Sequence, residues 1–564
     1  MAFDRPGQLI LSGACAPAPA RNAMTPNAST AHVVADQSAV LAWLSDPKAY
    51  GMQSPPVRID THGAVVFLAG GDVYKMKRAV KFPFMDLSTL AKRKGACEAE
   101  ICVNSVNAPT IYLDVVPVTR AEDGLRLGGR GEPLEWLVHM RRFDERQTLD
   151  HVADRHGLTP TLLAKLVRSI LASHARAPLR DGADAAESLR RYLQQNSEAY
   201  AENPDLCPKD RAAALTARSS ELLARSWRTL IERGRNGLVR RCHGDLHLRN
   251  IVLLEGEPTL FDAVEFDDAI ATGDVLYDLA FLLMDLWERE LKSEANLVLN
   301  RYLWASGDDQ IDGLAALPIL LSIRAAIRAK VIAASLPHLA KAERETMAQE
   351  ARRYFAAAET FVRPGEPCLV GVGGLSGTGK TTLAAAIASR VGCPPGAVHL
   401  RSDIERKVLA GVGETDRLPP STYTQAASDA VYASLRQKAK RILAAGYSVI
   451  VDAVHARPAE RDSLAATAMQ AGVPFVGIWL EAPVPLLVER VRARTCDASD
   501  ATEDVVQQQA GHDVGPIHWR GLSASGDLGR LISQTLVILT QCNRPDSHVG
   551  EPIPAPQAVT KRRC

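Results

Sequence analysis

The chain has 564 residues, with 66 Lys+Arg against 65 Asp+Glu and a formal net charge of +1. Hydrophobic residues make up 46% and charged residues 23%, the balance of a globular chain, which excludes a mostly disordered one. With no bulk basicity, neither nucleic acid nor a membrane surface is an expected partner. Any anion must be held by local sites.

Residues 1–30 are rich in Ala, Pro, Ser and Asn without periodicity and read as a flexible tail, in which Met24 offers an alternative start. The apolar run there is too short, and Asp4 stands too early, for a signal peptide. Alternation over 57–83, with Gly70-Gly71 at a turn, predicts hairpin strands. A helical pattern follows over 88–106. The strand-like segments YLDVVPV and EWLVHMRRF flank a Gly-rich turn at 128–131. From 148 to 235 the pattern is helical and charged, around 239–268 it is loop and strand, and over 274–362 it is helical again. The most apolar windows, Val275 to Trp287 and Leu314 to Leu336, are broken by Asp278 and Asp285 and by Arg324, Arg328 and Lys330, so no membrane span is expected. The 10 cysteines form no C-x-x-C pair and no zinc-type spacing with His, which predicts reduced thiols and a cytoplasmic location.

The stretch Arg363 to Pro367 punctuates the chain, and the texture then changes. Short apolar strands (CLVGVG, AVHLRSD, YSVIVDA, PFVGIWLE) alternate with helical stretches, the βαβ rhythm of a parallel sheet. It ends near 541, and the proline-bearing residues 542–564 read as a second tail. Two domains are therefore expected: 31–362, α+β and bilobal, and 363–541, α/β with a parallel sheet.

In the second domain, Gly374-Leu375-Ser376-Gly377-Thr378-Gly379-Lys380-Thr381 fits G-x-x-x-x-G-K-[ST] between an apolar strand and a helical stretch. The glycines let successive N–H groups of Ser376 to Thr382 turn toward phosphate oxygens at a helix N-terminus. Lys380 would reach the β/γ-phosphates and Thr381 would ligate Mg²⁺. Tyr447 to Val451 delivers Asp452 at a strand end, where a carboxylate would hold the same ion. Asp403 follows another strand and faces the same crevice, where it can contact substrate, N-cap a helix, or both. Arg490 and Arg494, spaced i,i+4, would close over phosphates ahead of a small, polar stretch, Cys496 to Thr502, that reads as a lid, or else mark a solvated helix face. Arg457 and Arg461 are a second such pair, with the acceptor as their candidate ligand.

In the first domain, His243-Gly244-Asp245-Leu246-His247-Leu248-Arg249-Asn250 spaces an Asp and an Asn as in the kinase catalytic loop. The Asp accepts the attacking hydroxyl's proton and the Asn ligates Mg²⁺. Asp262, at the end of a later strand, supplies a second metal-binding carboxylate. A strand lysine should hold the α/β-phosphates, and Lys75 and Lys77 lie on the same strand face. Lys75 is favoured, with Glu100 rather than Glu98 as its helix partner. The strand ending at Met140 marks an adenine hinge. Asp278 reads as a buried structural carboxylate, while Glu265 and Asp267 fit either metal or a solvated loop.

On these residues the second domain resembles P-loop small-molecule kinases of the gluconate kinase and zeta-toxin group. The first resembles the aminoglycoside phosphotransferase and choline kinase branch of the protein-kinase-like fold. The order of the two resembles a group of bacterial two-domain fusions. The resemblance implies ATP and Mg²⁺ at both sites and small-molecule hydroxyl acceptors. Two departures stand out: Thr61-His62-Gly63-Ala64 replaces a Gly-rich phosphate loop, and no acidic substrate-recognising helix follows the catalytic loop. The sequence therefore favours a bifunctional phosphotransferase. A ligand-binding pseudokinase regulating the P-loop domain is the alternative, and a polynucleotide kinase fits the charge least.

Overall fold

The computed structural model describes residues 33–542 except 62, 83–84, 123 and 495–497. The expected tail at 1–30 lies outside the described residues, and so does the expected tail at 542–564 apart from Cys542, which ends the last helix. Two compact units divide at Pro364/Gly365, and each is described by itself.

The first unit begins with an antiparallel sheet of six strands: β1 (Val57–Asp60), β2 (Ala64–Ala69), β3 (Asp72–Lys77), β4 (Tyr112–Ala121), β5 (Gly124–Leu127) and β6 (Pro133–Arg141), in the order β1-β2-β3-β6-β4-β5. Both faces are covered, so β2 reads as an unbroken apolar run rather than an alternation. Val65, Phe67, Met76 and Leu137 pack on one face. Val66, Leu68, Val73 and Val138 pack on the other with Cys97 of helix α1 (Leu90–Asn104). Period-two alternation sends Lys75 and Lys77 to that second face with Val73, toward α1. Thr89 caps α1 by accepting from the Lys92 N–H.

The rest of the unit is helical: α2 (Pro160–Arg176), α3 (Gly182–Glu202), α4 (Lys209–Arg235), α5 (Val275–Glu288), α6 (Lys292–Ser306), α7 (Leu317–Ser335) and α8 (Lys341–Phe361). Residues 275–286 of α5 are all buried, so α5 is the core of this lobe, which explains its apolar sequence without a membrane. Among the described residues no helix is long and apolar enough to cross one. Four short strands punctuate the helices: β7 (Val239–Arg241), β8 (Ile251–Leu254), β9 (Glu257–Leu260) and β10 (Thr272–Asp274). β8 and β9 form a tight hairpin whose turn residues, Glu255 and Gly256, both have positive φ, the type I′ pattern. It returns the chain from the catalytic loop to Asp262.

The second unit is a five-stranded parallel sheet with helices between the strands. Its strands are β11 (Leu369–Gly374), β12 (Val398–Arg401), β13 (Val449–Asp452), β14 (Phe475–Glu481) and β15 (Arg520–Ser523), in the order β12-β13-β11-β14-β15. The helices are α9 (Lys380–Ala388), α10 (Ser402–Ala410), α11 (Gln425–Ala444), α12 (Pro458–Ala471), α13 (Val484–Arg492), α14 (Glu503–Ala510) and α15 (Leu528–Cys542). The strand order reverses beside β11, so the crevice at the carboxyl ends of β11 and β13 is where such a sheet binds ligands. Trp519 lies over Gly371 and Gly477: a Cβ on Gly371 would stand 2.6 Å from its ring and one on Gly477 2.3 Å. Those glycines are thus paving for an indole.

Gly182 of α3 and Gly234 of α4 meet backbone to backbone, and a Cβ on Gly182 would lie 2.6 Å from the Gly234 Cα. Gly182→Ala is therefore expected to lower stability by about 1–3 kcal/mol, read as a lower Tm of the full chain.

Candidate functional site

In the first unit the small sheet, α1 and the segment after β9 converge on a buried charge cluster. Lys75 Nζ lies 2.7 Å from Glu100 Oε1 and 3.6 Å from Asp262 Oδ1. Lys77 Nζ lies 2.5 Å from Glu100 Oε2 and 2.6 Å from Glu265 Oε1. Both lysines are nearly inaccessible, at 2% and 5% exposure. Burial disfavours their charge, but the carboxylates outweigh it and raise both pKa values. Burial likewise opposes the charge of Glu100, yet the two lysines bring its carboxyl down to about 2. Glu98 points elsewhere, exposed and 3.4 Å from Lys94.

Helix α1 is tied to the metal-side segment by Asn104, one turn beyond Glu100. Its Oδ1 accepts from the Ala263 N–H at 2.7 Å and its Nδ2 donates to the Ala263 carbonyl at 3.3 Å. Asp262 is fully buried at φ 60, a left-handed backbone that a non-glycine residue adopts only where its surroundings impose it. Its N–H donates to the Tyr112 hydroxyl at 3.2 Å. The Phe261 N–H donates to the Asn250 carbonyl at 3.0 Å, which draws the two candidate metal residues to one end of the β8–β9 hairpin.

The catalytic-loop sequence is held from below. Asn250 Nδ2 donates to both the carbonyl and the Oδ2 of Asp245, each at 3.0 Å. The ring of His243 is 2.9 Å from the Phe261 carbonyl. Gly244, at φ +81, donates its N–H to Asp278 Oδ1 at 2.8 Å. Asp278 also meets His174 at 3.2 Å and is 2% exposed, so it shapes the loop. Leu248 donates to Asp285 at 3.0 Å. Arg324 of α7 donates to the carbonyls of Gly244, at 3.1 Å, and Tyr277, at 3.2 Å. Burial opposes ionisation of Asp245, but His247 and Arg328 hold its carboxyl well below the usual range. His174, Cys242 and Asp278 form a three-residue cluster, but the His174 ring is shared between Asp278 and the Tyr302 hydroxyl, 3.0 Å away. Asp267 accepts from the N–H groups of Ala269 and Ile270, capping a short helix.

The turn between β1 and β2 is tight. The Thr61 N–H bonds the Ala64 carbonyl at 2.9 Å and the Thr61 hydroxyl caps the same residue, leaving no room for a long glycine loop. His62 lies outside the described residues.

In the second unit β11 runs into a loop with three positive-φ glycines, Gly374, Gly377 and Gly379. A Cβ on Gly374 would lie 2.5 Å from the Leu480 carbonyl oxygen, and one on Gly377 2.6 Å from that of Leu487. Only glycine fits there. The Thr381 hydroxyl donates to Asp452 Oδ2 at 2.6 Å, and His399 Nε2 stands 3.2 Å from the same oxygen. Burial would raise the Asp452 pKa, but His399 and Lys380 bring it down to about 2. Lys380 donates to the Leu375 carbonyl at 3.0 Å, and Thr378 bonds it at 2.8 Å. Burial lowers the Lys380 pKa against the pull of Asp452 and Asp403. The Ser376 N–H donates to Gln509 Oε1 of α14 at 2.9 Å. Thr382 lies in the first turn of α9.

Asp403 differs from the expected cap: α10 starts at Ser402 with Arg401 as its cap, which leaves Asp403 inside the first turn. Its pKa is raised by burial. Arg490 and Arg494 do not share a helix face, because α13 ends at Arg492. Arg490 donates to the Ala524 carbonyl at 2.8 Å, whereas Arg494 stands near enough to Lys380 to weaken its charge. Of the expected lid, Cys496 and Asp497 lie outside the described residues. Asp500 is anchored by the Tyr423 hydroxyl at 2.7 Å and the Leu418 N–H at 3.2 Å. Arg461 is spent on carbonyls of His455, Ala456, Val514 and Pro516, and Arg457 pairs with Asp429 and Glu460, so neither is a free acceptor ligand.

Sequence reading passed over Asn104, His399 and Gln509 and did not settle Glu265. Asn104 had a signal, its i+4 spacing from Glu100. The others meet their partners only through chain crossings of 53 residues (His399 to Asp452), 133 (Gln509 to Ser376) and 188 (Glu265 to Lys77).

A lysine–glutamate pair beside a catalytic loop in one unit, and a glycine cradle at a parallel-sheet crevice in the other, define an ATP-dependent kinase. Known proteins agree. A family model described as a phosphotransferase enzyme family matches residues 108–314, and one described as an AAA domain matches 369–512. The uncharacterized protein Rv2004c of Mycobacterium tuberculosis is 30% identical over 468 residues, covering 81% of this chain and 90% of that protein, and a protein of Mycobacterium bovis matches equally. The chain belongs to the family of these proteins, with a phosphotransferase-family domain followed by a P-loop kinase domain. Among solved structures, a gluconokinase from Sinorhizobium meliloti is 20% identical over 31% of this chain and 93% of its own, with a TM-score of 0.24. A choline/ethanolamine kinase family protein from Mesorhizobium loti is 14% identical over 57% of this chain and 97% of its own, with a TM-score of 0.35.

Glu100→Gln leaves two buried lysines short of a counter-charge and is expected to cost about 3 kcal/mol or more at pH 7 in chemical denaturation. Lys75 and Lys77 hold the native carboxyl down at about 2, against 4.5 ordinarily. Its contribution is therefore complete above about pH 4.5 and lost as pH falls toward 2, so the gap between wild type and variant should narrow over that window.

Proposed function

We propose that this kinase carries two separate ATP/Mg²⁺ sites, each transferring the γ-phosphoryl group to a hydroxyl of a small molecule. The observation that carries the reading is a lysine set among carboxylates in each unit: buried Lys75 with Glu100 of α1 and with Asp262 after β9, and partly buried Lys380 beside the Thr381–Asp452 pair at the end of β13. Both donor sets fit the group. In the second unit the glycine-only cradle suits phosphate oxygens, with N–H groups from Ser376 to Thr382 around it, and the Thr381 and Asp452 oxygens suit Mg²⁺. In the first, Asn250 and Asp262 offer oxygen ligands, and Lys75 a cation for phosphates. Bound Mg²⁺–ATP supplies the transferable phosphoryl group and neutralises its charge.

The chain's own groups do the rest. Asp245, kept ionised by His247 and Arg328 and oriented by Asn250, accepts the acceptor hydroxyl's proton. Lys75 and Lys380 stabilise phosphate charge, Arg494 adds a second cation beside Lys380, and Asp403 takes the acceptor in the second unit. Gln509 fills the place of a phosphate oxygen on the Ser376 N–H and must yield it. Arg490 is proposed for the far wall of the nucleotide site. The acceptors are small molecules, not nucleic acid or membrane lipid, and the setting is cytoplasmic.

A second reading, a first unit that binds ligand without transfer, is favoured by the tight β1–β2 turn, which lacks the glycine loop that covers phosphates in kinases. Transfer from γ-labelled ATP into a metabolite extract separates the two. Wild type should give products of which one set disappears in Lys380→Ala and the other in Asp245→Asn, each by at least about 100-fold. Loss of every product in Lys380→Ala alone would support the second reading. No transfer in any sample would reject the proposal. In the second unit, Gly377→Ala should abolish Mg²⁺–nucleotide binding, read by calorimetry in the full chain, because its Cβ would collide with the Leu487 carbonyl.

A further inference from the structure

Two buried lysines share the charge cluster of the first unit, and the second of them stands beside the turn where a glycine loop is lacking. Lys75 lies opposite Val66 in the sheet, whereas Lys77 lies opposite Ala64, the first residue of β2 after the β1–β2 turn. Alternation puts both ammonium groups on the face toward α1. There Glu100 divides its carboxylate, with Oε1 2.7 Å from Lys75 and Oε2 2.5 Å from Lys77. Lys75 leads on to Asp262 at 3.6 Å, and Lys77 to Glu265 at 2.6 Å. Burial opposes the Lys77 charge, but Glu100 and Glu265 overcome it, so the ammonium is kept. An ammonium has three N–H donors. Two of those on Lys77 go to Glu100 and Glu265, and the third meets no acceptor among the described residues. Glu265 Oε2 is buried without a donor among the same residues. The pair thus leaves open one donor and one acceptor, the complement of a phosphate that arrives with its divalent ion.

The β1–β2 turn has little main chain to offer such a ligand. The Thr61 N–H is spent on the Ala64 carbonyl at 2.9 Å and the Ala64 N–H on the Thr61 hydroxyl at 3.0 Å. Arg78, the residue after Lys77, clamps the turn: its N–H donates to the Gly63 carbonyl and its Nε to the Thr61 carbonyl, each at 2.8 Å. Phosphates that no glycine loop covers need another source of positive charge at this end of the sheet. We infer that Lys77 is a second phosphate-holding residue of the first unit, its third N–H taking an oxygen of the triphosphate beside the one held by Lys75, in place of the main-chain donors of a glycine loop. The inference rests on the proposed ATP site of that unit and deepens it. Glu100 then spaces the two ammonium groups, and Glu265 is a positioning residue that aims Lys77. Without Lys77, one ammonium would face three carboxylates, and the cluster would repel a polyanion.

The test is read on the full chain carrying Gly377→Ala and Lys380→Ala, so that nucleotide binding reports the first unit. Calorimetry compares a non-hydrolysable ATP analogue with Mg²⁺ against adenosine. Lys77→Gln should weaken the triphosphate at least about tenfold and adenosine less than about twofold, and Lys77→Arg should recover most of the loss. Glu265→Gln controls for an ion pair that serves stability alone. If Lys77 holds phosphate, Lys77→Gln costs the triphosphate as much in the Glu265→Gln chain as in the parent. A cost that disappears in that chain overturns the inference, as does an equal loss for adenosine. Should Lys77→Gln alone fail to fold, the chain with both Lys77→Gln and Glu265→Gln, which loses the two charges together, is compared with Glu265→Gln. If the parent binds no nucleotide, the ATP reading of this unit fails, and thermal shifts with tripolyphosphate decide. A rise in Tm that is kept in Glu265→Gln and lost in the double variant sustains the inference, and any other pattern overturns it.

Discussion

A lysine ammonium taken out of water is tolerated only when carboxylates close by replace its hydration. That constraint organises the first unit. Lys75 and Lys77 sit on the inner face of β3 because strand alternation puts them there, and Glu100 from α1 and Asp262 and Glu265 from the segment after β9 must then be brought to them. Helix α1, the segment after β9 and the sheet are thereby pinned to one another. Asn104 repeats the connection through backbone hydrogen bonds. This cluster of two ammonium groups and three carboxylates is what the proposed nucleotide site of the first unit rests on.

The second unit reaches a similar end by different means. Its backbone curls through three positive-φ glycines, two of them pressed against carbonyls of the neighbouring β14 and α13. Lys380 is held across the loop by the Leu375 carbonyl, and Asp452 gathers Thr381 and His399 on one oxygen. Here the cradle is made of main chain, and the side chains close its open end. The crevice falls where it does because the strand order reverses next to β11.

The two catalytic constellations differ in how far their supports reach. Asp245 stands on a scaffold of two buried carboxylates of α5, Asp278 and Asp285, which accept loop N–H groups, and of Arg324 of α7, which donates to the Gly244 and Tyr277 carbonyls. Asp403 sits in the first turn of a helix, where burial opposes its ionisation against the pull of Arg401 and Lys380. The first arrangement fixes the carboxylate proposed as a base in one orientation. The second leaves the carboxylate proposed to face the acceptor with a charge that depends on what enters beside it.

The two-domain order, the parallel-sheet rhythm after Pro364 and the glycine cradle were legible in the sequence because each is a local pattern: periodicity, strand length and spacing in a short loop. The same holds for Asp245 and Asn250, five residues apart on one turn. What only the tertiary structure decided is which charges meet. The division of labour between Lys75 and Lys77, the capture of Ser376 by Gln509, the separation of Arg490 from Arg494 by the end of α13 and the approach of α7 to the catalytic loop depend on chain crossings or helix ends. One-dimensional spacing carries little information about either, since the energy that fixes them comes from burial and from long-range charge pairing.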